Sequence, residues 1–152
     1  MRVIYTGFLG KILNVDLTEE KNWVESLDGE LASKFVGGKG LAARLLWERL
    51  REGTEPLSPS NVMILATGPL TGTSCPSTRM CFVTKSPLTG MFNDSYVGGH
   101  LSHEIKSAGY DLIIITGKAH KPIYLWIDGQ KPSYLWGGCE SVHMVDAGHL
   151  WG

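Results

Sequence analysis

A chain of 152 residues, 43% of them hydrophobic and 9% aromatic, has enough apolar surface to bury a core in one domain, which excludes a disordered chain. A formal charge of -1 and the absence of any Lys/Arg cluster exclude the electrostatic footprint of a nucleic-acid binder. No apolar run approaches the roughly 20 residues that cross a bilayer, and the opening MRVIYTGFLG lacks the apolar core of a signal peptide, so the expectation is a cytoplasmic protein with no membrane partner.

In chain order, Gly10 to Leu17 alternates as a strand, with Leu13, Val15 and Leu17 on its apolar side and Ile12, Asn14 and Asp16 on the other. Thr18 to Lys21 reads as a turn, and Asn22 to Ser26, carrying Trp23 and Val24, pairs back as a hairpin. Asp28 is placed to cap a helix from Gly29, whose stripe Leu31, Ala32, Phe35 and Val36 ends at Gly37-Gly38. A second helix starts at Gly40, with Leu41, Leu45 and Trp47 to Glu48 on successive turns and Arg44, Arg49 and Arg51 outward. Pro56 and Pro59 mark Gly53 to Asn61 as a loop. Val62 to Thr67 and Met80 to Lys85 are short buried strands, and Asp111 to Gly117, DLIIITG, is the strongest buried strand. Pro122 to Asp128 and Lys131 to Trp136 flank Gly129 as a second hairpin. The class is α+β, with mixed, largely antiparallel sheets and two or three short helices.

The stretch Ala66 to Gly99 is different in kind. It holds five glycines, ten Ser or Thr residues and only three charges, Arg79, Lys85 and Asp94. Such a segment offers close backbone approach and neutral hydrogen bonds to a polar guest, with two cations for an anion. Pro-Leu-Thr-Gly occurs twice, at Pro69 to Gly72 and Pro87 to Gly90, each time after a strand, so the two turns are expected to border one cleft. Gly98-Gly99 precedes HLSHEIKSAG, where Leu101, Ile105 and Ala108 fall at helical spacing. Free amides at such a helix start favour a phosphate.

Other candidates are weaker. Gly37-Gly38-Lys39-Gly40 lacks the spacing of a phosphate-binding loop, so it reads as a helix C-cap followed by a tight turn, with Lys39 a secondary ligand contact. Cys75, Cys81 and Cys139 show no CxxC spacing and read as free thiols. His100, His103 and Glu104 share a helical face but lack a third protein ligand and the HExxH pattern, so a solvated face explains them and no metal site is assigned. The carboxylates near the start are spread as a charged face, and no catalytic residue is assigned.

The segments GKILNVDLT, FVGGKGLAARLL, PLSPSNVMILATGPLTGTSCPSTR, VTKSPLTGMFNDSYVGGH and SAGYDLIIITGKAHKPIYLWID resemble the amino-terminal domain of the tungsten-containing aldehyde ferredoxin oxidoreductases, and DAGHLWG extends the likeness. The resemblance implies a two-sheet platform on which a tungsten bis-pyranopterin cofactor rests. It implies that Arg79 bridges the pterin and a nearby 4Fe-4S cluster, that Gly98 makes a backbone contact, with Gly99 beside it, and that the main-chain carbonyl of Tyr96 helps hold a magnesium between the pterin phosphates. Tyr96 falls where many members have asparagine, Lys39 where arginine is common, and Cys75 where alanine is frequent.

In that family the cluster cysteines, the DxxGL pterin motifs and the acid-base residues lie in later domains. Residues 1 to 152 therefore read as one domain of a larger enzyme, a fragment inactive by itself. The implied reaction is aldehyde oxidation to carboxylate with ferredoxin as electron acceptor. The expected partners are the enzyme's own C-terminal domains, ferredoxin, and a second copy through self-association. Alternatives are the active-site subunit of a tungsten benzoyl-coenzyme A reductase, and a non-catalytic binding or assembly module.

Overall fold

The run LIIIT carries apolar side chains toward both faces of one strand, and such a strand is stable only with cover on both sides. The computed structural model, which describes residues 7–128 and 131–136, supplies that cover. The run is β6 (Leu112–Thr116), inside a six-stranded sheet with β1 (Lys11–Asp16), β2 (Lys21–Ser26), β3 (Met63–Ala66), β4 (Met80–Lys85) and β5 (Phe92–Val97). The order is β2-β1-β6-β3-β4-β5. Only β1 and β6 run parallel; every other neighbouring pair is antiparallel.

One face is covered by two helices, α1 (Gly29–Phe35) and α2 (Gly38–Arg49). Leu41, Ala42, Leu45 and Leu46 of α2 pack with Ile12, Ile64, Val83, Leu112 and Ile114. The other face is covered by α3 (Leu101–Ser107) and by β7 (Ile123–Asp128), which pairs antiparallel with β8 (Lys131–Trp136). Ile105 of α3 and Leu125 and Ile127 of β7 close over Leu13, Val15, Ile113 and Tyr110 there. The fold is α+β, with three helices and a mixed, mostly antiparallel sheet among the described residues.

Several sequence expectations change. The first strand is not half-exposed: Ile12, Leu13, Asn14 and Val15 are all buried, because β1 lies between β2 and β6 with a layer on each face. Asn14 tolerates this because its amide donates to Glu25 Oε2 at 3.2 Å and its oxygen accepts from Arg49 at 3.0 Å. Arg49 therefore turns onto the sheet and not outward. Asp28 caps α1 as expected, accepting from the Glu30 amide at 3.0 Å. The C-cap is Val36, left-handed at φ 59°, and not Gly37-Gly38, which open α2 as its N-cap and first residue. Trp47 is 81% exposed and contributes nothing to the core, whose α2 stripe is completed by Ala42 and Leu46. The turn of the second hairpin, residues 129 and 130, lies outside the described residues.

Candidate functional site

The β4–β5 hairpin decides where the glycine-rich stretch comes together. Its register pairs Met80 with Val97 and Cys81 with Tyr96, and continuing it by one residue sets Arg79 beside Gly98. Arg79, Tyr96, Gly98 and Gly99 thus gather at one end of the sheet. The same end receives the exit of β3, since Ala66 faces Cys81, and the starts of β6 and β1, since Leu112 pairs with both Ala66 and Ile12. The start of α2 joins them through a 3.1 Å bond from the Gly38 amide to the Thr67 carbonyl.

The two Pro-Leu-Thr-Gly turns do not border one cleft. Pro69 to Gly72 follows β3 at this glycine-rich end, whereas Pro87 to Gly90 follows β4 at the opposite end, where Lys85 pairs with Phe92. Six residues of strand separate them, about 20 Å. The far end carries an open apolar groove of about 700 Å³, lined in part by Trp47, Leu50, Met91 and Phe92. It holds none of the four residues singled out above.

At the glycine-rich end the surface is open. Arg79 is exposed, and its guanidinium makes no hydrogen bond or ion pair with any described residue. No atom lies within 4 Å of the positions that a Cβ would take on Gly98 or Gly99, and Gly99 has φ 89°, which only glycine adopts without strain. Bare peptide groups and one unpaired planar cation are therefore turned toward solvent on the same rim. That combination suits a ligand rich in anionic and heteroaromatic oxygen and nitrogen atoms.

The rim rests on a buried anchor that the sequence reading did not single out. Asp111, with no exposed surface, accepts from the amides of Leu9 (2.9 Å) and Gly10 (2.7 Å) and from Lys106 Nζ (2.5 Å). Lys106, on α3, also donates to the Gly7 carbonyl at 2.8 Å and stands 5.5 Å from the Phe8 ring centre. Gly7 in turn lies against the first turn so closely that a Cβ there would sit 2.4 Å from the Pro69 oxygen. The Asp111 carbonyl accepts from the amide and hydroxyl of Thr67 at 3.0 and 2.8 Å. One buried ion pair thus fixes the residue 7–11 segment and the entrance to the Pro69–Gly72 turn. AGYD, notable in the sequence only as a motif, was the available signal.

Tyr96, Asp94 and Phe92 project from β5 toward the α2 side, alternating with Asn93 and Ser95. Lys39, near the start of α2, pairs with Asp94 at 3.0 Å and stands 6.0 Å from the Phe92 ring centre. The hydrogen bond that Lys39 donates to the Asp94 carboxylate, reinforced by that carboxylate's charge, holds the Lys39 ammonium above the ordinary lysine value. The Lys39 charge is therefore already partnered. Partial desolvation raises the Tyr96 phenol, and burial pushes the Cys81 thiol up.

Cys81 is 1% exposed and Cys75 is exposed on the glycine-rich segment; Cys139, His143 and His149 lie outside the described residues. At pH 8, iodoacetamide is expected to modify Cys75 in the native protein and leave Cys81 unmodified, because Cys81 is both covered and held in the thiol form. Peptide mass mapping checks this, and equal labelling of the two would contradict it. No group of three His, Cys, Asp or Glu side chains among the described residues is arranged to hold a metal, and His100, His103 and Glu104 form no such set. No helix among them is long and apolar enough to cross a membrane.

Comparison with known proteins agrees with this architecture. The family described as aldehyde ferredoxin oxidoreductase, N-terminal domain, matches residues 12–152. The chain belongs to that family. It is 43% identical over 147 residues to the tungsten-containing aldehyde ferredoxin oxidoreductase of Pyrococcus furiosus, covering 96% of this chain and 23% of that protein. It is 40% identical over 149 residues to the aliphatic sulfonate oxidoreductase, WOR-like subunit, of the same organism, covering 96% of this chain and 22% of that one. Among solved structures, the active site complex BamBC of benzoyl coenzyme A reductase with 1,5-dienoyl-CoA matches with a TM-score of 0.82 and 36% identity, over 85% of this chain and 20% of that chain. This chain therefore spans under a quarter of the length of these relatives. As an aldehyde ferredoxin oxidoreductase N-terminal domain, it carries its open, glycine-rich rim on the side of the sheet's end where Arg79 and Gly98 meet.

Proposed function

We propose that residues 1–152 are the cofactor platform of a tungstopterin oxidoreductase that oxidises aldehydes to carboxylates and passes the electrons to ferredoxin. The observation that carries this reading is the convergence of an unpaired Arg79 with the bare backbone of Gly98 and Gly99 at one sheet end. The residues fit such a group. Arg79 would bond pterin oxygen and nitrogen atoms, Gly98 and Gly99 would allow the pterin to lie against the main chain, and the Tyr96 carbonyl would contribute to a magnesium between the phosphates. When bound, the tungsten centre would supply the redox chemistry, while this domain orients it and shields one side.

The remaining domains of the same enzyme would enclose the cofactor's other side and ligate the 4Fe-4S cluster. Away from the rim, at the opposite end of the sheet, the exposed Trp47 (81%), Leu88 (92%) and Met91 (67%) would offer them a second, apolar contact, and this surface would drive self-association of the platform alone. An exposed Cys75 thiol suits a reducing cytoplasm. The likeness to the benzoyl coenzyme A reductase complex supports a second reading, an active-site subunit acting on an aromatic thioester. A dye-linked assay of the tungsten-loaded enzyme separates the two. Oxidation of simple aldehydes with no turnover of dienoyl-CoA is the expected result; the reverse pattern would replace the first reading with the second.

A further inference from the structure

Arg79 has an exposed side chain, yet its backbone is held from both directions. On its C-terminal side, Met80 is 1% exposed and begins β4 within the core cluster on the α3 side. On its N-terminal side, the Thr78 carbonyl accepts a 2.7 Å hydrogen bond from the Ser102 hydroxyl of α3. Ser102 is itself 1% exposed while Thr78 lies at the surface, so the bond is half-buried and the covered donor hydroxyl is the partner left unsatisfied if the Thr78 carbonyl moves. The same helix begins two residues after Gly99 and carries Lys106, whose ammonium is pinned to Asp111 and the Gly7 carbonyl. Ser102 therefore joins the strand entry that bears Arg79 to the segment that follows the Gly98-Gly99 turn.

We infer that Ser102 is a positioning residue for the platform: its hydroxyl sets the height and direction of Arg79 relative to the Gly98-Gly99 backbone. The inference rests on the cofactor-platform reading, and it deepens that reading by naming the residue through which Arg79 is preorganised. Three features separate it from ordinary packing. The segment from Thr73 to Thr78 has no regular secondary structure, and its other hydrogen bonds, from Thr73 to Leu70, Cys75 to Thr73 and Ser77 to Cys75, are local and do not tie it to α3. The acceptor is the carbonyl immediately before Arg79. The Arg79 side chain has no partner of its own among the described residues, so its aim is inherited from the backbone. A ligand contact made by a preorganised side chain avoids the entropy of ordering it at the moment of binding.

The first test needs no cofactor. In Ser102→Ala, hydrogen exchange of peptides covering residues 76–81 and 98–101 is expected to accelerate about tenfold, while β1 and β6 peptides stay within about twofold of wild type. Uniform acceleration would mean general destabilisation, and unchanged exchange would mean that the bond holds nothing; either overturns the inference. The second test measures tungsten lost on dialysis from the loaded enzyme that carries this domain. Ser102→Ala is expected to lose tungsten several-fold faster than wild type, and adding Arg79→Ala is expected to bring no loss beyond that of Arg79→Ala alone. Additive losses, or wild-type retention in Ser102→Ala with loss in Arg79→Ala, overturn the positioning role and leave the platform reading standing. Wild-type retention in Arg79→Ala overturns the platform role of Arg79 and the positioning role with it.

Discussion

Asp111→Ala is expected to be the most destabilising single substitution in the described part of the chain. It removes a fully buried carboxylate that accepts from Lys106 and from the backbone amides of Leu9 and Gly10. The ammonium left behind is on a side chain only 7% exposed, with the Gly7 carbonyl its sole remaining acceptor among the described residues. Leaving a buried charge without its partner costs about 3–5 kcal/mol, and orphaned amides add to it. For a chain of this size that corresponds to a melting temperature lower by roughly 10 °C or more. Lys106→Met is expected to cost less, because the carboxylate keeps its amide donors. Thermal denaturation followed by circular dichroism gives the order. A Lys106→Met loss equal to or larger than that of Asp111→Ala would mean that the ammonium, and not the carboxylate, organises the anchor.

That anchor was hidden in the sequence, for a physical reason. Lys106 lies in a seven-residue helix with a polar face and Asp111 stands before an apolar strand, so both look like ordinary solvated charges. Nothing in composition signals that β1 will lie alongside β6 and bring the Leu9 and Gly10 amides onto that carboxylate. By contrast β6 itself was plain, because a strand buried on both faces must be apolar throughout. The edge strand β5 was not foreseen as a strand at all. Its residues FNDSYV are mostly exposed, being packed at the sheet's border, and so carry no alternation to read.

The helix boundary at Val36 was missed because a β-branched residue in the left-handed region runs against its own propensity. Two adjacent glycines drew the cap one residue too far. Helical spacing sets Trp47 on the stripe of Leu41 and Leu45 without saying where the stripe ends; the structure ends it at Leu46. The turn repeat misled in a more general way. Strands β3, β4 and β5 form an antiparallel meander, and in a meander consecutive connections alternate between the two ends of the sheet. Identical motifs in successive turns therefore cannot meet, however alike their sequences. The four residues singled out in the sequence do share one sheet end, and the β4–β5 register is what draws Arg79, Tyr96, Gly98 and Gly99 there.

In the loaded enzyme that carries this domain, Arg79→Ala is expected to shed tungsten on dialysis at least tenfold faster than wild type, with Arg79→Lys intermediate. Arg79 is exposed, has no side-chain partner among the described residues, and stands beside the open Gly98 backbone, so its removal takes nothing from the core. The melting temperature of the metal-free protein should accordingly change by less than the equivalent of about 0.5 kcal/mol, as for other exposed positions away from a structural feature. The guanidinium offers planar, fixed donors that match oxygen and nitrogen acceptors in pairs, whereas an ammonium replaces the charge without the geometry. Lysine should therefore keep more metal than alanine and still fall short of wild type. The dissociation of the two readouts is the point of the experiment: a ligand-contacting residue moves retention and leaves the fold untouched. Wild-type tungsten retention and wild-type aldehyde oxidation in Arg79→Ala would reduce Arg79 to an ordinary surface arginine.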